Sequence, residues 1–330
     1  MLLKNLINEP FDDIKGQNSV KQQLKSALLA KRHIIIIGPA GVGKTTLAKN
    51  VAKLLPELAV NACPYHCLPS APVCPECRAH TTQKTKKISG SQRFVRIQGS
   101  PDLTVEDLLG DIDPVKALKS GALSIEAFTP GKIFKANNGV LFFDELNRCP
   151  EKLQNALLQV LEEGTATLGS YDVEIPARFI FIGTMNPQDS STEKLSDVLL
   201  DRFDIIHMSY PETHAVESAI VVEKGLKSEA TVPVRVLDFM VGFVRLLREN
   251  EKLEKVPGVR GSIGLYERSQ TNALLEGRTA VTFDDVRAVA VSVLAHRIKL
   301  KPSAQYIQSP EELVSEELEK FSSAKRGGDG

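Results

Sequence analysis

Eight consecutive residues, Gly38-Pro39-Ala40-Gly41-Val42-Gly43-Lys44-Thr45, carry the first chemical signal in the chain. They satisfy the spacing G-x-x-x-x-G-K-[ST], in which glycines at positive φ turn backbone N–H groups toward a polyphosphate. Lys44 is suited to reach the β- and γ-phosphates and the Thr45 hydroxyl to ligate Mg²⁺. Thr46 opens a helix whose amino end adds partial positive charge. A second signal is the acid pair Asp144-Glu145, which closes the apolar run Val140-Leu141-Phe142-Phe143. One carboxylate can hold a metal-bound water while its neighbour polarises the attacking water, a division that needs two adjacent acids on a rigid strand. Asn186, at the end of Gly183-Thr184-Met185-Asn186, offers an amide to orient that water. Arg202 stands among acids in Asp201-Arg202-Phe203-Asp204, where an internal ion pair and a charge-stabilising role on a phosphoryl group are both open.

Cysteine supplies the other chemistry. Four of the five cysteines fall at C-x3-C-x6-C-x2-C, namely Cys63, Cys67, Cys74 and Cys77, with His66 and His80 as reserve ligands. Four soft ligands so close suit tetrahedral Zn²⁺ holding a structural clip, with an iron–sulfur cluster, redox-active thiols or unliganded cysteines as alternatives. Cys149, just before Pro150, reads as a residue leading into a helix.

The elements that must position these groups follow from periodicity. A polar turn, Phe11 to Gln17, precedes a helix with Val20, Leu24, Ala27 and Leu28 on one face, then the strand Ile34 to Ile37, the phosphate loop and a helix from Thr46 to Leu55. Residues Asn61 to Lys87, with Pro64, Pro69, Pro72 and Pro75 among the cysteines, are expected to be an insertion that is neither helix nor strand. Strand-like Arg93 to Gln98 and helical Leu103 to Leu109 lead to an irregular excursion over 110–139. The apolar strand before Asp144, the amphipathic helix Leu153 to Glu163, a hairpin over Thr165 to Ile175 and the buried strand Phe179 to Ile182 complete the pattern. Strands alternating with helices indicate an α/β fold, a three-layer αβα domain on a parallel sheet. Past Pro211 helices dominate: His214 to Leu226, Val234 to Leu247, Ser262 to Leu275, and Phe283 to Ile298 with Thr282 and Asp285 as its capping box. The expected domains are 1–209, binding nucleotide and bearing the insertion at about 61–87; 210–302, a smaller all-helical lid; and 303–330, an acidic helix with a frayed tail from Ser322.

Composition excludes less than it permits. With 330 residues the chain can bury full cores, and 41 Lys plus Arg against 41 Asp plus Glu leave no net charge that calls for nucleic acid or an anionic membrane. No apolar run approaches the roughly 18 residues of a membrane span, and a cytoplasmic location is expected.

Taken together, Phe11 to Gln17, the phosphate loop, Leu141-Phe142-Phe143-Asp144-Glu145-Leu146-Asn147-Arg148, Gly183 to Pro187, Leu199 to Asp204 and Gly258-Val259-Arg260-Gly261 resemble an AAA+ ATPase. The excursion over 110–139 and the hairpin before Phe179 are similar to those of the helix-2-insert clade, in particular the MoxR proteins and the magnesium-chelatase I subunit, and the likeness covers most of residues 10–300. Some chelatase-subunit relatives also carry a cysteine-rich insertion after the phosphate-loop helix. The resemblance implies Lys44 and Thr45 as the Walker A pair, Asp144 as the Mg²⁺ acid, Glu145 as the catalytic base and Asn186 as sensor 1. It further implies Arg202 as an arginine finger for a neighbouring subunit, Arg260 as sensor 2, Gly16 and Gln17 beside the adenine, and Arg148 as a further intersubunit group. ATP, Mg²⁺, a homo-oligomeric ring (a hexamer) and a partner with a von Willebrand A-type domain come with it, the work being protein remodelling or metal insertion. Two other classes are a DNA motor and a zinc-containing adaptor without turnover. The hairpin Thr165 to Ile175 has no Lys or Arg and contains Asp172 and Glu174, which opposes DNA, although Lys116, Lys119, Lys132 and Lys135 dot the other excursion. The intact Asp144-Glu145 pair opposes the adaptor.

Overall fold

The computed structural model describes residues 5–79, 84–121, 125–168, 173–187 and 195–326. Its contacts divide the chain into two compact units, the first Met1–Ile14, Asn18–Gly38 and Gly43–Met208, the second Lys15–Gln17, Pro39–Val42 and Ser209–Gly330.

In the first unit, α1 (Asn18–Leu29) buries Val20, Leu24, Ala27 and Leu28, the face its periodicity predicts. Strand β1 (His33–Ile37) precedes the phosphate loop and α2 (Lys44–Lys53) follows it. The cysteine-rich insertion consists of β2 (Leu58–Asn61), α3 (Pro75–Ala79) and β3 (Thr85–Ile88). Next come β4 (Phe94–Gln98) and α4 (Val105–Leu109), then the excursion with β5 (Gly110–Ile112), α5 (Pro114–Ser120) and β6 (Phe128–Pro130). Helix α6 (Lys132–Lys135) leads into β7 (Val140–Asp144), and α7 (Glu151–Glu163) ends at Gly164, which takes φ +65°. A hairpin of β8 (Thr165–Leu168) and β9 (Val173–Pro176), then β10 (Ile180–Met185), α8 (Asp197–Leu200) and β11 (Phe203–His207), finish the unit.

The central sheet has five strands in the order β11-β1-β10-β7-β4, every pair parallel. Ile34, Ile35 and Ile36 of β1 and Val140 to Phe143 of β7 have no exposed surface, as strands covered on both faces require. The register decides the site: Ile37 pairs with Met185 and with His207, Gly183 with Phe143, and Gln98 with Asp144. The phosphate loop, Asn186 and the acid pair therefore leave the sheet along one carboxyl edge.

The insertion departs from the sequence expectation of neither helix nor strand. Strands β2 and β3 pair antiparallel from Leu58 with Ile88 to Asn61 with Thr85, closing its base, and α3 carries Cys77 inside it. These two short strands pair across the whole insertion with no tight turn between them, so neither a run length nor a turn marks them in sequence. Arg93, only 1% exposed, anchors the base by donating to the carbonyls of Ser89, Pro56 and Asn138.

The second unit holds α9 (His214–Lys224), α10 (Val234–Arg248), β12 (Leu253–Lys255), α11 (Val259–Leu275), α12 (Phe283–Leu294), β13 (Lys299–Leu300), α13 (Pro302–Gln305) and α14 (Pro310–Arg326). Phe239, Met240, Phe243, Leu265, Val289 and Leu313 are among its core. The buried Glu217 accepts both guanidinium nitrogens of Arg248 at 2.6 Å and the Ser262 hydroxyl at 2.6 Å, so the charge is paired as burial demands. The expected box Thr282–Asp285 caps α12, and Arg278 pairs with Asp285, holding that carboxyl well below its usual range. The fraying expected from Ser322 does not begin there. Helix α14 continues to Arg326 because Phe321 packs 5.1 Å from Phe239 and 5.8 Å from Phe243, and the Ser322 hydroxyl donates to Leu318 O at 2.7 Å.

Candidate active site and cysteine cluster

The phosphate loop starts from a strand tied on both sides. Gly38 N–H donates to Met185 O at 3.1 Å and Met208 N–H to Ile37 O at 2.8 Å. A Cβ at Gly38 would stand 2.1 Å from Met208 O, while Gly41 and Gly43 hold φ of +80° and +105°, so this path admits glycine alone at those three positions. Gly43 caps α2, whose first N–H groups, beginning with Lys44, Thr45 and Thr46, have no acceptor within the helix and are offered to an anion. Lys44 Nζ donates to Gly38 O at 2.6 Å, arching the ammonium over the loop.

Pro39, Ala40, Gly41 and Val42 belong to the second unit, and there Arg260, on the first turn of α11, lies against them. A Cβ on Gly41 would sit 3.1 Å from Arg260 Cγ. Arg297 flanks the same turn, its ordinarily high pKa lowered by burial and by the charge of Arg260. Gly16 and Gln17 both take left-handed φ, +65° and +57°, and Gln17 Nε2 donates to Ser209 O at 2.8 Å.

At the end of β7, Asp144 Oδ1 accepts the Thr184 hydroxyl at 2.6 Å, and the same Thr184 oxygen accepts Glu145 N–H at 3.0 Å. Asp144 Oδ2 takes a guanidinium nitrogen of Arg96 at 2.6 Å. Glu145 Oε2 receives Gln98 Nε2 at 2.9 Å and Arg148 at 3.2 Å. Glu145 itself has φ +56°, and Gly99 lies under it with room for no side chain, since a Cβ there would be 2.1 Å from Glu145 O. Asn186 follows Met185, the last residue of β10, between the phosphate-loop strand and the acid strand. Mg²⁺·ATP fits these residues: the glycine cradle leaves backbone close enough to wrap phosphates, and Thr45 and Asp144 provide the hard oxygen donors that Mg²⁺ takes.

Three family profiles match successive parts of the chain: magnesium chelatase, subunit ChlI, over residues 10–71; the ATPase family associated with various cellular activities (AAA) over 75–205; and the AAA lid domain over 254–317. The magnesium-chelatase subunit ChlI of a Nostoc species is 30% identical over 325 residues, which cover 89% of this chain and 85% of that one. The chain belongs to the magnesium-chelatase I-subunit family of AAA+ ATPases. The 38 kDa magnesium-chelatase subunit of Acidiphilium rubrum, 29% identical, spans 89% of this chain and 92% of its own length. The fold is shared with a chain of the complex between subunits BchI and BchD of magnesium chelatase, with a TM-score of 0.51 at 23% identity, covering 92% of this chain and 98% of that one.

As a member of the magnesium-chelatase I-subunit family the chain is an ATP hydrolase. Of its expected active-site residues, those that follow β1, β7 and β10 come together at the carboxyl edge of the sheet. Arg202 does not. It precedes β11, whose first residue Phe203 pairs with His33, the first residue of β1, and so lies at the opposite end of the sheet from the phosphate loop. There it ion-pairs with Glu162 of α7 and donates to Val198 O at 2.7 Å, leaving its Nε buried without a partner. Sequence reasoning about the family motifs missed Thr184, Arg96, Gln98 and Arg297. Arg96 and Gln98 do carry a signal, alternating with buried Ile97 on an edge strand next to the acid strand.

The four cysteine sulfurs lie within 4.8 Å of one another, and all four residues are buried. Backbone N–H groups of Cys67, Val73, Cys74 and Cys77 point at the sulfurs of Cys63, Cys67 and Cys74 at 3.3–3.4 Å, donors that favour thiolate. The neighbouring thiols of Cys67 and Cys74 hydrogen-bond Cys63 and pull its pKa far down, while Cys67 is itself pushed up to about 11 and Cys74 is raised. His66 stands outside the group with φ +49° and its Nδ1 buried without a partner, and His80 falls outside the described residues, as does Asp172 of the hairpin. Cys149 leads into α7 as expected and is not a member of the cluster. Among the described residues no helix is long and apolar enough to cross a membrane.

Proposed function

We propose that this chain is the ATP-hydrolysing subunit of a homo-oligomeric ring, hexameric as the family resemblance implies, in a cytoplasmic assembly like magnesium chelatase. Its turnover drives metal insertion, or the related remodelling of a partner protein, through a second component with a von Willebrand A-type domain. Lys44 and the loop from Gly38 to Gly43 hold the phosphates, and Thr45 and Asp144 hold Mg²⁺. Glu145 takes the proton of the attacking water, Asn186 orients that water as sensor 1, Arg260 acts as sensor 2, and Gly16 and Gln17 take the adenine. Zn²⁺ in the cluster of Cys63, Cys67, Cys74 and Cys77 clips the insertion shut.

The observation that carries the ring is the position of Arg202. A parallel pairing from His33–Phe203 to Ile37–His207 separates it from its own phosphate loop by the length of β1, about 15 Å of extended chain. An arginine there can stabilise the transferring phosphoryl group only of another copy, a contribution of about a thousandfold or more in rate. Mixing two variants tests this. Arg202→Ala and Glu145→Gln should each bind Mg²⁺·ATP and fail to cleave it, and the mixture should regain activity where the intact base of one meets the intact arginine of the other. Normal hydrolysis by Arg202→Ala alone, or a mixture that stays inactive although mixed rings form, would leave Arg202 as the ion-pair partner of Glu162 and nothing more.

A further inference from the structure

Around the acid pair, Arg96 touches Asp144 directly and Glu145 only by way of Gln98. The same nitrogen of Arg96, Nη2, lies 2.6 Å from Asp144 Oδ2 and 3.1 Å from Gln98 Oε1. With its oxygen facing the guanidinium, the Gln98 amide turns its nitrogen to Glu145 Oε2 at 2.9 Å. The other oxygen of Asp144 is committed to the buried Thr184 hydroxyl. Oδ2 is therefore where a divalent cation, or the water it carries, must compete.

We propose that Arg96 is a positioning residue that occupies Asp144 until Mg²⁺ displaces it. This rests on reading Asp144 as the metal acid. A guanidinium and a doubly charged cation repel each other at one carboxylate oxygen, so the two compete for it. The group that yields is set by exposure: the Arg96 side chain is 51% exposed on a flexible stem, whereas Asp144 is 16% exposed and fixed to the sheet. The apparent Mg²⁺ affinity is lowered by the competition.

The probe is Mn²⁺ binding to the full chain saturated with ADP, read from the electron paramagnetic resonance signal of free Mn²⁺. Arg96→Ala should bind Mn²⁺ about two- to fivefold more tightly, the worth of a half-exposed ion pair, and should need correspondingly less Mg²⁺ for half-maximal hydrolysis. Arg96→Gln, which keeps the polar edge of the strand, should do the same. Unchanged or weaker Mn²⁺ binding in both overturns the proposal. Asp144→Asn separates the two failures. If it binds Mn²⁺ like the wild type, the metal-acid reading falls and the proposal with it. If it loses the Mn²⁺ affinity that Arg96→Ala leaves unmoved, Arg96 alone is misassigned.

Discussion

Glu145 takes a backbone conformation that side-chain-bearing residues avoid, at a cost of roughly 1–3 kcal/mol. What holds it there is Thr184 on one side and the bare Cα of Gly99 on the other, where Gly99 N–H donates to Asp144 O at 2.7 Å. Gly99→Ala should therefore act on the acid pair, since the new Cβ would meet Glu145 O at 2.1 Å and Asp144 O at 3.0 Å. We expect hydrolysis to fall at least about tenfold, the scale of a misplaced reacting group, while a fluorescent ATP analogue still binds, because the phosphate loop lies on another strand. A variant whose turnover matches the wild type would show that the acids tolerate displacement. The phosphate loop and the acid pair were legible in sequence because each is a contiguous motif whose chemistry needs neighbours along the chain. Thr184, Gln98, Arg96 and Gly99 were not, because their places are fixed by the register of three strands, and a register is a property of pairing.

For the cysteine-rich insertion the spacing of its ligands was legible and its architecture was not. The ribbon of β2 and β3 and the Asn137 amide that donates to Tyr65 O at 3.1 Å depend on contacts between distant segments. Nor is the insertion a detached finger: Cys63, Cys67, Cys74 and Cys77 share one core with Tyr65, Phe134, Leu141 and Phe143, and the Tyr65 ring packs tilted at 5.5 Å from that of Phe134. Elemental analysis of protein purified without chelator is expected to give about one zinc per chain, since metal binding and folding of such a site are linked. Cys74→Ser should lose the metal and lower the melting temperature by several degrees, as a structural site does when opened. Iron in place of zinc, or metal-free protein of unchanged stability, would set this assignment aside.

At the scale of the molecule, the parallel sheet, the helical second unit and the class of chemistry were all legible, because long apolar runs and helical periods are the strongest patterns a chain displays. The extent of α14 was not, since an acidic, serine-containing sequence conceals the aromatic contact of Phe321. If hydrolysis depends on Arg202 of a neighbour, activity per subunit should rise with protein concentration and level off as assembly completes, which a turnover assay over a dilution series would follow beside light scattering. A flat profile with a monodisperse monomer would refute it.

The opposite placement of Arg202 and the phosphate loop also bears on symmetry. If Arg202 serves a neighbouring copy, a two-fold pair could match both of its sites at once, residue for residue, whereas a head-to-tail contact passes the arginine on in one direction only. Under the head-to-tail arrangement every open string of subunits would have one terminal site that no arginine reaches, and only closure would remove it. The number of inactive sites would then count the breaks in the circle, making turnover a measure of whether assembly has closed.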